Sequence, residues 1–98
     1  MRFEKDLELV RWLENSNFSK ANFQWDKGNS LKNLKHGVSK EEIESLFISP
    51  FVLAGKIIEP YHAENRWLLF GKTVGQRRLT LIFTVRDGKK CARFRAEP

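Results

Sequence analysis

The chain has 98 residues, of which 41% are hydrophobic and 31% are charged. This length and balance predict one folded domain with a single core and exclude a disordered chain. No apolar run approaches the ~18 residues that span a bilayer, and the first residues lack the apolar region of a signal peptide. The single cysteine, Cys91, excludes an internal disulfide, so we expect a reducing, cytoplasmic location.

Positive charge is concentrated in the second part of the sequence. Residues 1–64 contain nine basic and ten acidic side chains, whereas residues 65–96 contain nine basic side chains and one acidic side chain. Six of those nine are arginines, whose planar guanidinium groups suit phosphates better than lysine does. This asymmetry favours a polyanionic partner such as nucleic acid. An ordinary solvated domain with a skewed surface is the alternative.

The first half of the sequence predicts helices. Their expected ranges are residues 4–14, 27–36 and a third helix from residue 40 onward. Asp26 is a suitable N-cap for the second helix, and Gly37 is suitably placed to end it. Ser39 and Glu42 form a capping box for the third helix. Phe23-Gln24-Trp25 alternates as a short strand ahead of the second helix.

The second half of the sequence predicts strands. Their expected ranges are residues 51–58, 66–73, 78–86 and 89–96. Asp87-Gly88 lies between two alternating runs and is a strong hairpin signal. Helices followed by successive strands predict an α+β fold, with the N-terminal helices packed on an antiparallel meander.

The hairpin predicts two different sheet faces. A two-residue turn at Asp87-Gly88 would pair Arg86 with Lys89 and set the register of both strands. One face then carries apolar pairs such as Phe83/Ala92 and Leu81/Phe94, and we expect it under the helices. The other face carries Thr84/Cys91, Ile82/Arg93, Thr80/Arg95 and Arg78/Glu97. This second face suits a phosphate chain, and an ordinary solvated sheet face is the alternative.

One stretch of the sequence resembles a known family. Phe23-Gln24-Trp25-Asp26-Lys27-Gly28-Asn29, Lys32 and Lys35-His36-Gly37-Val38-Ser39 match F-x-W-D-x-G-N-x-x-K-x-x-K-H-G-V-S. This pattern is that of the BrnT toxins, the toxin half of the BrnT–BrnA toxin–antitoxin systems. Further matches are Pro60 with His62, Glu64 to Trp67 with Gly71, Arg77, and Phe83 to Arg86. The resemblance covers about residues 22–91.

The resemblance implies a fold, an activity and a partner. The fold would be RelE-like, and the activity would be RNA cleavage that arrests translation. The partner would be a BrnA-type antitoxin with a ribbon-helix-helix DNA-binding part. We interpret residues 1–98 as one BrnT-like domain, with an extra N-terminal helix in 1–21 and the family core in 22–96.

The end of the sequence departs from the family pattern. Family members usually continue into a basic C-terminal helix, which we expect to be absent here. The alternative function is therefore a catalytically impaired domain that binds RNA or the antitoxin. A DNA-binding module fits less well, because no predicted helix is markedly basic.

RNA cleavage through the 2′-hydroxyl requires a proton acceptor, an acid for the leaving 5′-oxygen and cations for the pentacovalent phosphate. The catalytic candidates are His36, His62, Glu64 and Arg66, since imidazole titrates near neutral pH and arginine stabilises charge. The RNA-binding candidates are Lys35, Arg77, Arg78, Arg86, Arg93 and Arg95. We expect no metal or cofactor, because two histidines and one cysteine far apart in sequence do not form a credible metal site.

Each candidate also has a structural interpretation. His36 suits the last turn of a helix, and Glu64 and Arg66 lie two apart on an extended chain, where they would pair. Trp25 and Trp67 pack in cores more often than they stack on bases. Asp26 and Asn29 are expected to hold the strand-to-helix turn.

Overall fold

The described residues form three α-helices and six strands, so the α+β class predicted from the sequence is confirmed. The structure is a computed structural model that describes residues 1–86 and 90–98. The helices are α1 (Leu7–Asn15), α2 (Lys27–Lys35) and α3 (Lys40–Leu46). The strands are β1 (Arg2–Glu4), β2 (Phe23–Gln24), β3 (Phe51–Glu59), β4 (Trp67–Lys72), β5 (Arg78–Arg86) and β6 (Lys90–Glu97).

The strands form a mixed sheet in the order β1-β3-β4-β5-β6-β2. Successive strands from β3 to β6 are antiparallel neighbours, and β1 is antiparallel to β3. β2, however, runs parallel to β6. The expectation of a wholly antiparallel sheet is therefore corrected. Since β2 continues directly into α2, and α2 also contacts β6, the helix rather than a hairpin sets the direction of β2.

The first helix begins later than predicted. The Asp6 carboxylate accepts a hydrogen bond from the Leu9 amide at 3.1 Å and caps α1, which therefore starts at Leu7 rather than at residue 4. The preceding segment, Arg2–Glu4, pairs with β3 as an edge strand. Such pairing depends on a strand far away in sequence, which helical periodicity does not reveal.

Local caps set both ends of α2 and the start of α3 as predicted. The Asp26 carboxylate accepts from the Asn29 amide at 2.7 Å, and Gly37 has a φ of 83°, in the left-handed region that favours glycine after a helix. Ser39 and Glu42 form the predicted capping box, with 3.1 Å for each of its two backbone hydrogen bonds. These caps leave His36 at the C-cap of α2.

One apolar core fills the space between the helices and one face of the sheet. Ile43 and Leu46 of α3 are fully buried there against Phe83 and Phe94 of the sheet. The Phe47 ring meets Phe83 edge-on, with 5.3 Å between centroids. Each such side chain contributes roughly 1.5–3 kcal/mol by leaving water. We call the opposite side of the sheet the outer face.

The register of β5 and β6 differs from the prediction. The paired residues are Arg86–Lys90, Val85–Cys91, Thr84–Ala92, Ile82–Arg95, Leu81–Ala96 and Thr80–Glu97. A β-bulge interrupts the ladder, and Arg93 within it has a φ of 52°. Cys91 therefore lies in the core and not on the outer face, and burial raises its pKa to about 12, so the thiol stays protonated. The predicted Asp87-Gly88 turn lies outside the described residues.

Strand β2 pairs with β6 only at Cys91 and Ala92. Further along β6, two asparagine side chains of α2 form hydrogen bonds with its backbone amides and carbonyl. Asn29 accepts from the Phe94 amide at 3.0 Å and donates to the Phe94 carbonyl at 2.7 Å. Asn33 donates to the same carbonyl at 2.9 Å and accepts from the Ala96 amide at 3.1 Å. The two side chains take the place of a neighbouring strand and hold α2 against β6.

We expect Asn33→Ala to lower the free energy of unfolding by about 2 kcal/mol, because it leaves the buried Ala96 amide without its acceptor. Asn33 is only 3% exposed, so water does not readily replace the amide. Urea unfolding measures the change, and Asn17→Ala, at an exposed position, is the control. Equal unfolding midpoints for the two variants would contradict this role.

Candidate functional site

A cleft of about 920 Å³ lies between α2 and the later part of β6. The basic side chains that line it are Lys32, His36, Arg66, Arg93 and Arg95. Two acidic residues share the lining: Asp26, which caps α2, and Glu97, which pairs with Arg95 at 3.3 Å. Cations from α2, from the residue before β4 and from β6 therefore converge on one concave surface. Such an arrangement attracts a polyanion.

The ends of α2 position the histidine of the cleft. The His36 amide donates to the Asn33 carbonyl at 3.0 Å, which keeps the last turn closed. The imidazole itself belongs to an exposed residue. Lys32 lies one helical turn earlier and therefore on the same side of α2. Since Asn33 also binds β6, the hydrogen bonds that hold the helix on the strand also hold His36 beside it.

The β-bulge presents Arg93 to the cleft. Its φ of 52° lies in the left-handed region, which costs a non-glycine residue about 1–2 kcal/mol. Bulges re-aim side chains relative to the regular alternation of a strand. The Arg93 side chain is 58% exposed, and that of Arg95 is 68% exposed. Both guanidinium groups are therefore accessible to a ligand.

Glu64 lies between two arginines, of which Arg93 lines the cleft. Its carboxylate accepts from Arg86 Nε at 3.0 Å and lies 3.7 Å from the Arg93 guanidinium. Arg86 also donates to the Gln24 side chain at 3.2 Å. The hydrogen bond from Arg86, aided by the attraction of both arginines, lowers the pKa of Glu64. A carboxylate with a lowered pKa is a weak base, so this geometry favours a positioning role.

The pairing of Glu64 with Arg66, considered from the sequence, is wrong. Within the described ranges, the ion pairs of Glu64 are with Arg86 and Arg93. Arg66 instead lines the cleft. The ion pairs that Glu64 does form were not evident from the sequence, because Arg86 and Arg93 both lie more than 20 positions away from it.

Arg77 connects the α2–α3 junction to the start of β5. Its guanidinium donates to the Gly37 carbonyl at 2.7 Å and to the Glu42 carboxylate at 3.2 Å. Glu42 is also the second member of the Ser39 capping box. Arg77 is therefore already engaged in holding the helices on the sheet.

Four of the ten residues predicted from sequence line the cleft, namely His36, Arg66, Arg93 and Arg95. Lys35 is exposed on α2, His62 is half-buried in the loop after β3, and Arg78 is exposed at the start of β5. Lys32 was missed as a site residue, although its spacing of four from His36 on a predicted helix was a usable signal. Asn33 carried no such signal, because its partners lie on a strand more than 60 positions away.

The tryptophans have structural roles, as their core interpretation predicted. The indole of Trp25 donates to Glu44 at 2.9 Å, and its ring lies 4.4 Å from that of Phe94. Trp67 is 8% exposed and donates to Asp6 at 2.9 Å. Of the two turn residues, Asp26 caps α2 as expected, whereas the Asn29 side chain binds β6.

We expect the Glu42 carboxylate to make stability depend on pH. The Ser39 amide and then Arg77 hold its pKa below the ordinary value of a glutamate, so its stabilising contribution is present at neutral pH and is lost as the pH falls. Urea unfolding from about pH 7 to about pH 3 should show a shallower loss of stability for Glu42→Gln than for the wild type. Glu41→Gln, at an exposed position on the same helix, is the control. Parallel pH curves for the wild type and Glu42→Gln would count against this effect.

A protein family matches most of the chain. Residues 25–95 match the family described as ribonuclease toxin, BrnT, of type II toxin-antitoxin systems. The matched range contains α2, α3 and every basic residue of the cleft. Searches of characterised proteins and of solved structures found no match. Among the described residues, no helix combines the length and the hydropathy needed to cross a membrane. The family match extends over well more than half of the chain, which therefore belongs to the BrnT family of ribonuclease toxins of type II toxin–antitoxin systems.

Proposed function

We propose that this protein is an endoribonuclease that cleaves RNA without a metal ion, with the 2′-hydroxyl of the substrate as nucleophile. The observation that carries the proposal is the cleft, whose lining combines the imidazole of His36 with Lys32, Arg66, Arg93 and Arg95. An imidazole and several guanidinium groups are the protein groups that this reaction requires. Membership of a ribonuclease toxin family supports the same chemistry.

His36 is proposed to accept the proton of the 2′-hydroxyl. The 2′-oxygen then attacks the phosphorus and the bond to the 5′-oxygen breaks, which leaves a 2′,3′-cyclic phosphate and a 5′-hydroxyl. Arg66, Arg93 and Arg95 stabilise the added negative charge on the pentacovalent phosphate. His62 lies outside the lining of the cleft, in the loop that leads to Arg66, and is our candidate acid for the leaving oxygen when RNA is bound.

Glu64 is proposed to position Arg93. Its hydrogen bond to Arg86 is short, at 3.0 Å, whereas the contact to Arg93 is long, at 3.7 Å. A phosphate in the cleft competes for Arg93 while Arg86 keeps Glu64 in place. Lys35 and Arg78 extend the basic surface outside the cleft, and Arg77 supports it through the helices.

Cleavage of this kind arrests translation when the substrate is messenger RNA. We propose a RelE-like arrangement of the fold, action in the cytoplasm, and neutralisation by a BrnA-like antitoxin with a ribbon-helix-helix part. Family membership implies the antitoxin, and its type is our proposal. A catalytically impaired RNA- or antitoxin-binding domain is the second candidate, favoured by the mutual neutralisation of Glu64 with Arg86 and Arg93.

We expect the purified protein to cleave labelled RNA in EDTA and to leave cyclic phosphate ends. His36→Ala should lower the cleavage rate by about 10²-fold or more, because it removes the proton acceptor, and His62→Ala should lower it by a smaller factor. Gel analysis of the products measures both changes, and Arg11→Ala, at an exposed position of α1, is the control. RNA binding without cleavage by the wild type would support the second candidate instead.

We expect the double variant Arg93→Ala, Arg95→Ala to bind single-stranded RNA more weakly and with a flatter dependence on salt. Each lost phosphate contact reduces the slope of log K against log salt by about 0.7. Titrations at several salt concentrations measure the slope. Lys5→Ala with Arg11→Ala removes the same charge from exposed positions outside the cleft. If both double variants change the slope equally, net charge rather than the cleft governs binding.

A further inference from the structure

A second concavity, of about 640 Å³, adjoins the cleft. Val52 and Phe70 line it and are directly paired across β3 and β4, with Thr80 of β5 beside Phe70. Val52 is 64% exposed and Phe70 is 44% exposed, which is unusual for apolar side chains in the middle of a sheet. We call this concavity the outer groove, because these residues lie on the outer face.

The outer groove is continuous with the cleft. Ile82 lines the cleft and Thr80 lines the groove, and the two lie on the same side of β5, about 7 Å apart. Pro98 lines both concavities. A nucleic-acid strand that continues from the cleft along this side of the sheet enters the groove beside Glu97, which is paired with Thr80.

The charges around the groove select its occupant. Lys72 and Arg78 line it, and its described lining contains no acidic residue. Lys72 and Arg78 are paired with each other one step along the outer face from the Phe70–Thr80 pair, so the exposed ring lies beside two cations. An aromatic ring next to cations is the combination that binds a nucleobase together with its phosphate. A second copy of this chain would place the same cations against one another, which disfavours self-association through this surface.

We infer that the outer groove is a base-binding subsite for a nucleotide that flanks the cleaved phosphate. The face of that base stacks on Phe70, Val52 borders the base, and Arg78 and Lys72 bind the next phosphate. The substrate is then single-stranded, since a base within a duplex does not offer its face to an aromatic ring. The inference rests on the proposed function and adds the class of RNA that the site accepts.

Fluorescence anisotropy with two single-stranded RNAs, of five and three nucleotides, tests the subsite. Both carry 2′-O-methyl groups, so binding is measured without cleavage. We expect Phe70→Ala and Phe70→Leu to weaken binding of the longer RNA by about tenfold. The ratio of its affinity to that of the shorter RNA should fall as well. Phe70→Tyr should retain the wild-type affinity, because it keeps the ring.

Leu7→Ala, another exposed apolar position, is the control and should leave the ratio of the two affinities unchanged. Circular dichroism and thermal unfolding verify the fold of each variant. Because Leu and Tyr both fill the space of Phe70, their comparison decides the question even if Phe70→Ala does not fold.

Three results would overturn the subsite: wild-type affinity in Phe70→Leu, equal losses in the Leu and Tyr variants, or no RNA binding by the wild type. Loss of antitoxin binding in the Phe70 variants with full RNA binding would assign the groove to the protein partner, which also overturns it. Cleavage of unmodified RNA is measured in parallel. Its failure alongside ring-dependent binding would reject the ribonuclease proposal and support the subsite.

Discussion

The attachment of α2 to β6 through two asparagine side chains is the interaction on which the cleft depends. Asn29 and Asn33 are four residues apart, so their side chains lie on one side of the helix with a rise of about 6 Å. Phe94 and Ala96 are two residues apart on the strand, a spacing of about 7 Å. The spacing of the two asparagines along the helix therefore matches the spacing of the two residues along the strand. Because an amide side chain both donates and accepts, four hydrogen bonds join the helix to the strand.

This attachment brings the basic groups of the cleft together. Lys32 and His36 lie near the C-terminal end of α2, and Arg93 and Arg95 lie on the strand to which the helix is bound. Cations held so close repel one another, and the carboxylates of Glu64 and Glu97 offset part of that repulsion. A bound phosphate chain offsets this repulsion more fully than the two carboxylates do. The clustering of cations that lowers the stability of the protein therefore also favours a polyanionic ligand.

The arginines of the basic half have different roles according to their partners. Arg77 is bound by Glu42 and Gly37 and joins the helices to the sheet, whereas Arg86 is bound by Glu64 and Gln24. Arg93 and Arg95 have weaker, more exposed ion pairs. Composition places all of them in one basic group, because a count of charges does not include the distant carboxylates that engage some of them.

Both ends of α2, the start of α3, the α+β class and the family were predictable from the sequence, because caps and motif residues act within a few positions of one another. The pairing of β1, the parallel direction of β2 and the bulge at Arg93 became evident from the three-dimensional structure. The structure also shows which basic residues share the cleft and that Asn29 and Asn33 hold them there. Each of these depends on hydrogen bonds or ion pairs between segments far apart in the chain, and local propensities do not encode such contacts.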